Sequence, residues 1–152
     1  QAILVGTTTV LTDNPKLNCR IWHGQNPVRI ILDRQLRVPK HYSVFDKTTK
    51  TIVCTEIICP NEDNLIYKQI DFSKNVAQQV CKTLHKHNIQ SVIIEGGRQT
   101  LQTFIDANLW DEAHVFSGSS VFKTGIKAPN FKAQLLTSTV IKEDHISIYQ
   151  ND

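Results

Sequence analysis

Glu95-Gly96-Gly97 follows a short β-branched run, Val92–Ile94, and precedes Arg98-Gln99-Thr100-Leu101, where polar residues open a helical pattern. In an α/β chain that order reads as strand, tight turn and helix start. Main-chain N–H groups at a helix N-terminus form a site for phosphate. A side chain at Gly96 or Gly97 would hold a diphosphate away from those amides. Glu95 would stand at the carboxyl edge of the sheet, where open α/β sheets take ligands. Alone, a strand followed by Gly-Gly is also an ordinary turn.

A second polar constellation, TTTVLTDNPKLNCR, sets Thr9, Asp13, Asn14 and Arg20 around a proline-stiffened turn just after a strand end. Such groups can grip hydroxyls, amides and phosphates, although Asp13 and Asn14 also suit a plain Asx-turn. Asp33-Arg34 closes a third strand-like run. The planar fork of Arg34 fits a phosphate such as the 2′-phosphate of NADP, and equally a solvated surface arginine. No GxSxG elbow and no recognisable Cys nucleophile signature is present. His85 and His87 are two apart on a helix and diverge, so no metal site is expected.

The elements that must position these groups follow from periodicity. Ala2–Val5, Val28–Asp33, Thr51–Thr55, Leu65–Ile70, Val92–Glu95 and Asp111–Ser117 read as strands. TTTVLTDNPKL reads as a loop with one helical turn at most. Leu36–Pro39 and Val44–Phe45 read as surface segments with apolar pins. Val76, Val80 and Leu84, flanked by Ala77 and Cys81, make one helix stripe, with Ser73 as its N-cap and Asn88 just past its end. Leu101, Phe104, Ile105 and Leu109 make another. Gly118–Phe131 is a loop, and Leu135–Lys142 with Ile146–Tyr149 forms a closing strand pair. The sum is an α/β chain with a mixed sheet.

The 152 residues fit one domain of ordinary composition, with a net charge of +3. Neither a Lys/Arg-rich run nor a membrane-length apolar run occurs, so nucleic acid and bilayer are not expected partners. Cys19, Cys54, Cys59 and Cys81 lack CxxC spacing and suit a reduced, cytoplasmic setting. The chain lacks Met, and Gln1 runs directly into a buried strand, which predicts a piece of a longer protein.

Three segments in order, AILVGTTTVLTDNPKLNCR, PVRIILDRQLRVP and SVIIEGGRQTLQTFIDANLWDEAHVF, resemble the reductase domain of the bifunctional riboflavin-biosynthesis RibD family. The resemblance implies a dihydrofolate-reductase-like, three-layer domain over residues 1–152, with a mostly parallel mixed sheet and an antiparallel C-terminal pair. It implies NADPH-dependent reduction of 5-amino-6-(5-phosphoribosylamino)uracil by hydride transfer to C1′ of the ribose. Thr9, Asp13, Arg34 and the run Gly97, Arg98, Gln99, Thr100, Leu101, Gln102 and Thr103 correspond to cofactor contacts. Leu17, Arg20 and Glu95 correspond to substrate contacts, with Asp13, Glu95 or water serving the proton.

The family also implies a homodimer, a further strand and helix upstream, and zinc only in a deaminase domain this chain lacks. The piece alone is then expected to be inactive or very weak, since its pocket lacks a wall. Its unpaired sheet edge should promote association. Reduction of another heterocycle such as a pterin, and an inactive assembly role, are the alternatives.

Overall fold

The computed structural model describes residues 1–21, 23–121 and 123–151. Strand β1 (Ala2–Gly6) leads into helix α1 (Thr7–Asp13), and β2 (Val28–Leu32) and β3 (Thr51–Thr55) flank a 3₁₀ turn at Ser43–Phe45. Next come β4 (Leu65–Gln69), α2 (Val76–Lys86), β5 (Val92–Ile94) and α3 (Arg98–Asp106). The strands β6 (Glu112–Ser117), β7 (Gln134–Ile141) and β8 (Asp144–Gln150) end the chain.

Five strands form a parallel sheet in the order β4-β3-β2-β1-β5. Parallel strands covered on both faces need apolar side chains on both, which explains their unbroken hydrophobic runs. Leu4, Ile30 and Ile52 face α2 and α3, packing on Val80, Leu84 and Phe104. Their neighbours Val5, Ile31 and Val53 face the other way, onto Val10 of α1 and onto Val38 and Val44. The sheet is thus the middle of three layers. The antiparallel part is a separate sheet, β6-β8-β7, in which β6 joins the expected terminal pair.

Three local expectations are corrected. TTTVLTD is a seven-residue helix, because fully buried Val10 docks on the sheet and packing overrides the weak propensity of four threonines. Asn14 ends it in the left-handed region (φ 41°), donating its N–H to the Val10 carbonyl. The cap of α2 is Asn75, whose side chain accepts from Gln78 N; the Ser73 hydroxyl instead donates to Asp71 Oδ1 at 2.6 Å. Leu109 lies beyond α3, because left-handed Asn108 stops the helix and Leu109 N donates to the Phe104 carbonyl. Asn88 ends α2 in the same way, as its position suggested.

Arg29 of β2 is 1% exposed and donates to Asp46 at 2.6 Å, with Ser43 and Val44 carbonyls at 3.5 Å. This fastens the 3₁₀ turn to the sheet. Ser43 N then donates to Asn14 Oδ1 at 2.8 Å, so the pair also steadies the chain that leaves α1. The Arg29 guanidinium holds the Asp46 carboxyl at about 2, below its ordinary 3.8. A carboxyl depressed by folding adds stability above its unfolded pKa and loses it as pH falls through the folded one. Asp46→Asn should therefore lower the unfolding free energy by about 2 kcal/mol at neutral pH. In urea titrations at stepped pH, its deficit against the parent should shrink between pH 4 and 2. A pH-independent deficit would contradict this account.

Candidate active site

Helix α1, which follows β1, lies on one face of the sheet, and α3, which follows the adjacent β5, lies on the other. Chains that leave neighbouring parallel strands in opposite directions open a crevice at the carboxyl ends, the usual ligand position in such sheets. Gly96 and Gly97 sit there at φ 79° and 77°. A Cβ on Gly96 would stand 2.8 Å from Thr9 Cγ2, and one on Gly6, at the end of β1, 2.5 Å from Thr100 Oγ1. Each strand end therefore approaches the helix that follows the other strand.

Gly97 is the N-cap of α3 and offers no side chain, so the first-turn amides are left uncapped. Beside it, Thr9 Oγ1 and Thr100 Oγ1 lie 3.3 and 3.8 Å from the position its Cβ would take. Two hydroxyl groups thus lie near the uncapped amides.

Two residues before Gly97, Glu95 lines a cavity of about 590 Å³ together with Asp13, Leu17 and Arg20. All four were singled out from the sequence, as was Asn14, which also lines the cavity. Lys16, Asn18 and Cys19 also line it and were not anticipated. The turn that carries them is unusual, with Leu17 at φ 49°, a region costly for a residue with a Cβ. Its far end is tied by Cys19, whose N–H donates to Asn26 Oδ1 at 3.0 Å and whose thiol lies 3.4 Å from the Gln25 carbonyl. Lys16 was legible in principle, as a cation in the same proline turn. Asn18 and Cys19 carried no local signal.

Other expected residues lie elsewhere. Asp33 is buried: it accepts from Arg37 N and Val38 N, with Thr7 Oγ1 3.2 Å away, and so fixes the loop after β2. Arg34 donates through Nε to Glu56 at 2.9 Å, and this partner raises its pKa. Glu56 borders a different hollow, of about 430 Å³, with Gln69, Asp71 and Gln79. Arg98 and Gln99 are exposed on the first turn of α3, and Leu101 is half-buried. Thr103 donates back to the Gln99 carbonyl, and the Gln102 side chain bonds to Asn130 and Asp106. Among the described residues no group of three His, Cys, Asp or Glu is placed to hold a metal ion.

The family model of the RibD C-terminal domain matches residues 1–145. The chain belongs to that family. A RibD C-terminal domain places the crevice just described in known company. The Chlamydia pneumoniae riboflavin biosynthesis protein RibD is 29% identical over 134 residues, 80% of this chain and 36% of that protein. The 2,5-diamino-6-ribosylamino-4(3H)-pyrimidinone 5′-phosphate reductase of Archaeoglobus fulgidus is 27% identical over 145 residues, 85% of this chain and 66% of that one.

A solved Thermotoga maritima deaminase and 5-amino-6-(5-phosphoribosylamino)uracil reductase superposes with a TM-score of 0.87 at 28% identity. That match covers 99% of this chain and 45% of the other. This RibD C-terminal domain thus spans between about a third and two thirds of the length of these relatives. The fold implied by the sequence resemblance is the one observed.

The crossed glycine contacts have a measurable consequence. Gly96→Ala should lower the unfolding free energy by about 2 kcal/mol, from the positive φ and the contact with Thr9. With Thr9→Ala in the same chain, the further loss on adding Gly96→Ala should fall to about 1 kcal/mol, the backbone part alone. Equal losses in the two backgrounds, measured by denaturant unfolding, would show that Thr9 is not the obstacle.

Proposed function

We propose that this domain is a reductase of a phosphorylated ribosylaminopyrimidine, using NADPH. One observation carries the reading: Glu95 borders the charged cavity, and two residues later Gly97 opens the uncapped N-terminus of α3. A substrate site and an anion cradle are therefore contiguous at the switch point of the sheet.

The residues present fit the dinucleotide. The α3 amides with the Thr9 and Thr100 hydroxyls are donors gathered around Gly97, which has no side chain to crowd them. They would hold the diphosphate. Asp13, at the end of α1, borders the cavity from the same side and would meet the cofactor's polar groups. Arg34 has only its Nε committed to Glu56, which leaves the rest of its guanidinium for a 2′-phosphate. Bound there, NADPH supplies the hydride that reduces C1′ of the opened ribose.

The protein's own share is binding, orientation and proton handling. The fork of Arg20, assisted by Lys16, suits the substrate phosphate. Leu17 gives the base an apolar contact. Glu95 accepts hydrogen bonds from the ring amine and ribose hydroxyls. The carboxyls of Glu95 and Asp13, with water, are the groups able to supply the proton that the ribose ring oxygen takes up as its bond to C1′ breaks, which leaves C1′ as the carbon of an iminium open to hydride. The same reading carries a cytoplasmic homodimer, for which exposed Phe116, Leu135, Val140 and Ile141 on the antiparallel sheet offer apolar area.

The related reductases are named for two substrates, the aminouracil and the 2,5-diamino-pyrimidinone. We favour the aminouracil, and steady-state rates with each compound, followed by NADPH oxidation, decide between them. Arg20→Ala should raise KM for either phosphorylated substrate about 100-fold while NADPH affinity holds. Glu95→Gln should lower kcat about 100-fold. In the intact parent protein, no NADPH oxidation with either compound, or unchanged kinetics in both variants, would reject the reading.

A further inference from the structure

We infer that Gln102 is a positioning residue for the dinucleotide site, and not a ligand contact: its carboxamide fastens the loop 123–133 to the first half of α3. This rests on the reading just proposed. Gln102 Nε2 donates to the Asn130 carbonyl at 3.0 Å, and Gln102 Oε1 accepts from Asn130 N at 2.9 Å. The second Nε2 hydrogen goes to Asp106 Oδ1 at 2.7 Å. Both donors and an acceptor lone pair are thereby engaged, which leaves little for a ligand.

The pair of bonds imitates the reciprocal pairing of two peptide groups. Gln102 is the fifth residue of α3, about 6 Å along the axis from Arg98. The bonds therefore bring the loop to within roughly one turn of the anion cradle.

What the loop carries gives that placement its meaning. Residues 123–133 include Lys123, Lys127 and Lys132 and no acid. All three lysines are exposed, and none is in an ion pair among the described residues. An acid-free basic segment beside the positive end of a helix reinforces the potential that attracts a polyanion. Phe131 anchors the end of the loop by edge contacts with Trp110 and Tyr149, centroids 5.6 and 5.1 Å away. Gln102 adds what this anchor cannot, the attachment to α3 itself.

Two measurements on the full chain test the assignment. Trypsin should cut after Lys123 and Lys127 about tenfold faster in Gln102→Ala than in the parent, the worth of the lost bonds. Gln102→Glu, which keeps only the acceptor bond, should fall between. Asn130→Ala should be cut at the parental rate, since Asn130 engages through its main chain. In kinetics, Gln102→Ala should raise KM for NADPH about tenfold with kcat held within about twofold.

Parental cutting of both Gln102 variants would overturn the latch. Fast cutting with an unchanged KM would overturn its role in cofactor binding. No NADPH affinity in the parent protein would overturn the proposed function and this role with it, while the cutting rates would still report on the latch alone.

Discussion

Gly6 ends β1 and Gly96 lies two residues past β5, its parallel neighbour, and each lies against a threonine of the helix that follows the other strand. Gly6 abuts Thr100 of α3 and Gly96 abuts Thr9 of α1. A β-carbon at either place would crowd a threonine side chain, at 2.5 Å for Gly6 and 2.8 Å for Gly96. The two close approaches let both helices begin at the carboxyl edge and depart on opposite faces. The crevice between them, and everything that lines it, depends on that crossed contact.

From this constraint the distribution of chemistry follows. Helix α1 must be short, because Asn14 turns it off in a left-handed conformation ahead of Pro15. The chain then runs along the crevice, so Lys16, Leu17 and Arg20 face the same cavity as Glu95 across the gap. Its path is steadied from behind: Asn14 Oδ1 accepts from Ser43 N, and the turn holding Ser43 is gripped by the buried Arg29–Asp46 pair. A charge on β2 that does not itself line the cavity thus contributes to their placement.

Much of this was legible in the residues. Runs such as VRIIL and TIVCT have the two-sided apolar content of covered parallel strands, and α2 shows its stripe at every fourth position. Helix α1 was hidden because four threonines argue against helix, and only the burial of Val10 argues for it. Ser73 and Asn75 are both good caps, and a carboxylate two residues before Ser73 decided between them. The diglycine was legible as a turn near a ligand edge, but part of its cause was not. Thr9, nearly ninety residues away, fills the space a side chain at Gly96 would need. Asp33 was legible only as the close of a strand-like run, while its work is to accept the amides of Arg37 and Val38.

The two sheets differ in how they are held. The parallel sheet has a core on both faces, and its loops are cross-braced by buried polar groups such as Arg29 and Asp33. The antiparallel sheet has exposed residues along all of β7 and most of β6, so little apolar burial fixes it. Its order comes from strand pairing, from the Trp110–Phe131–Tyr149 contacts, and from Asn151, whose side chain donates to Asn108 and to the Trp110 carbonyl. Groups on the parallel side are therefore set before a ligand arrives. Groups that come from the antiparallel side reach the crevice only as far as such tethers bring them. A substrate gripped by Arg20 and Glu95 meets preset side chains, whereas the basic loop adjoining α3 owes its position to a few hydrogen bonds and one aromatic cluster.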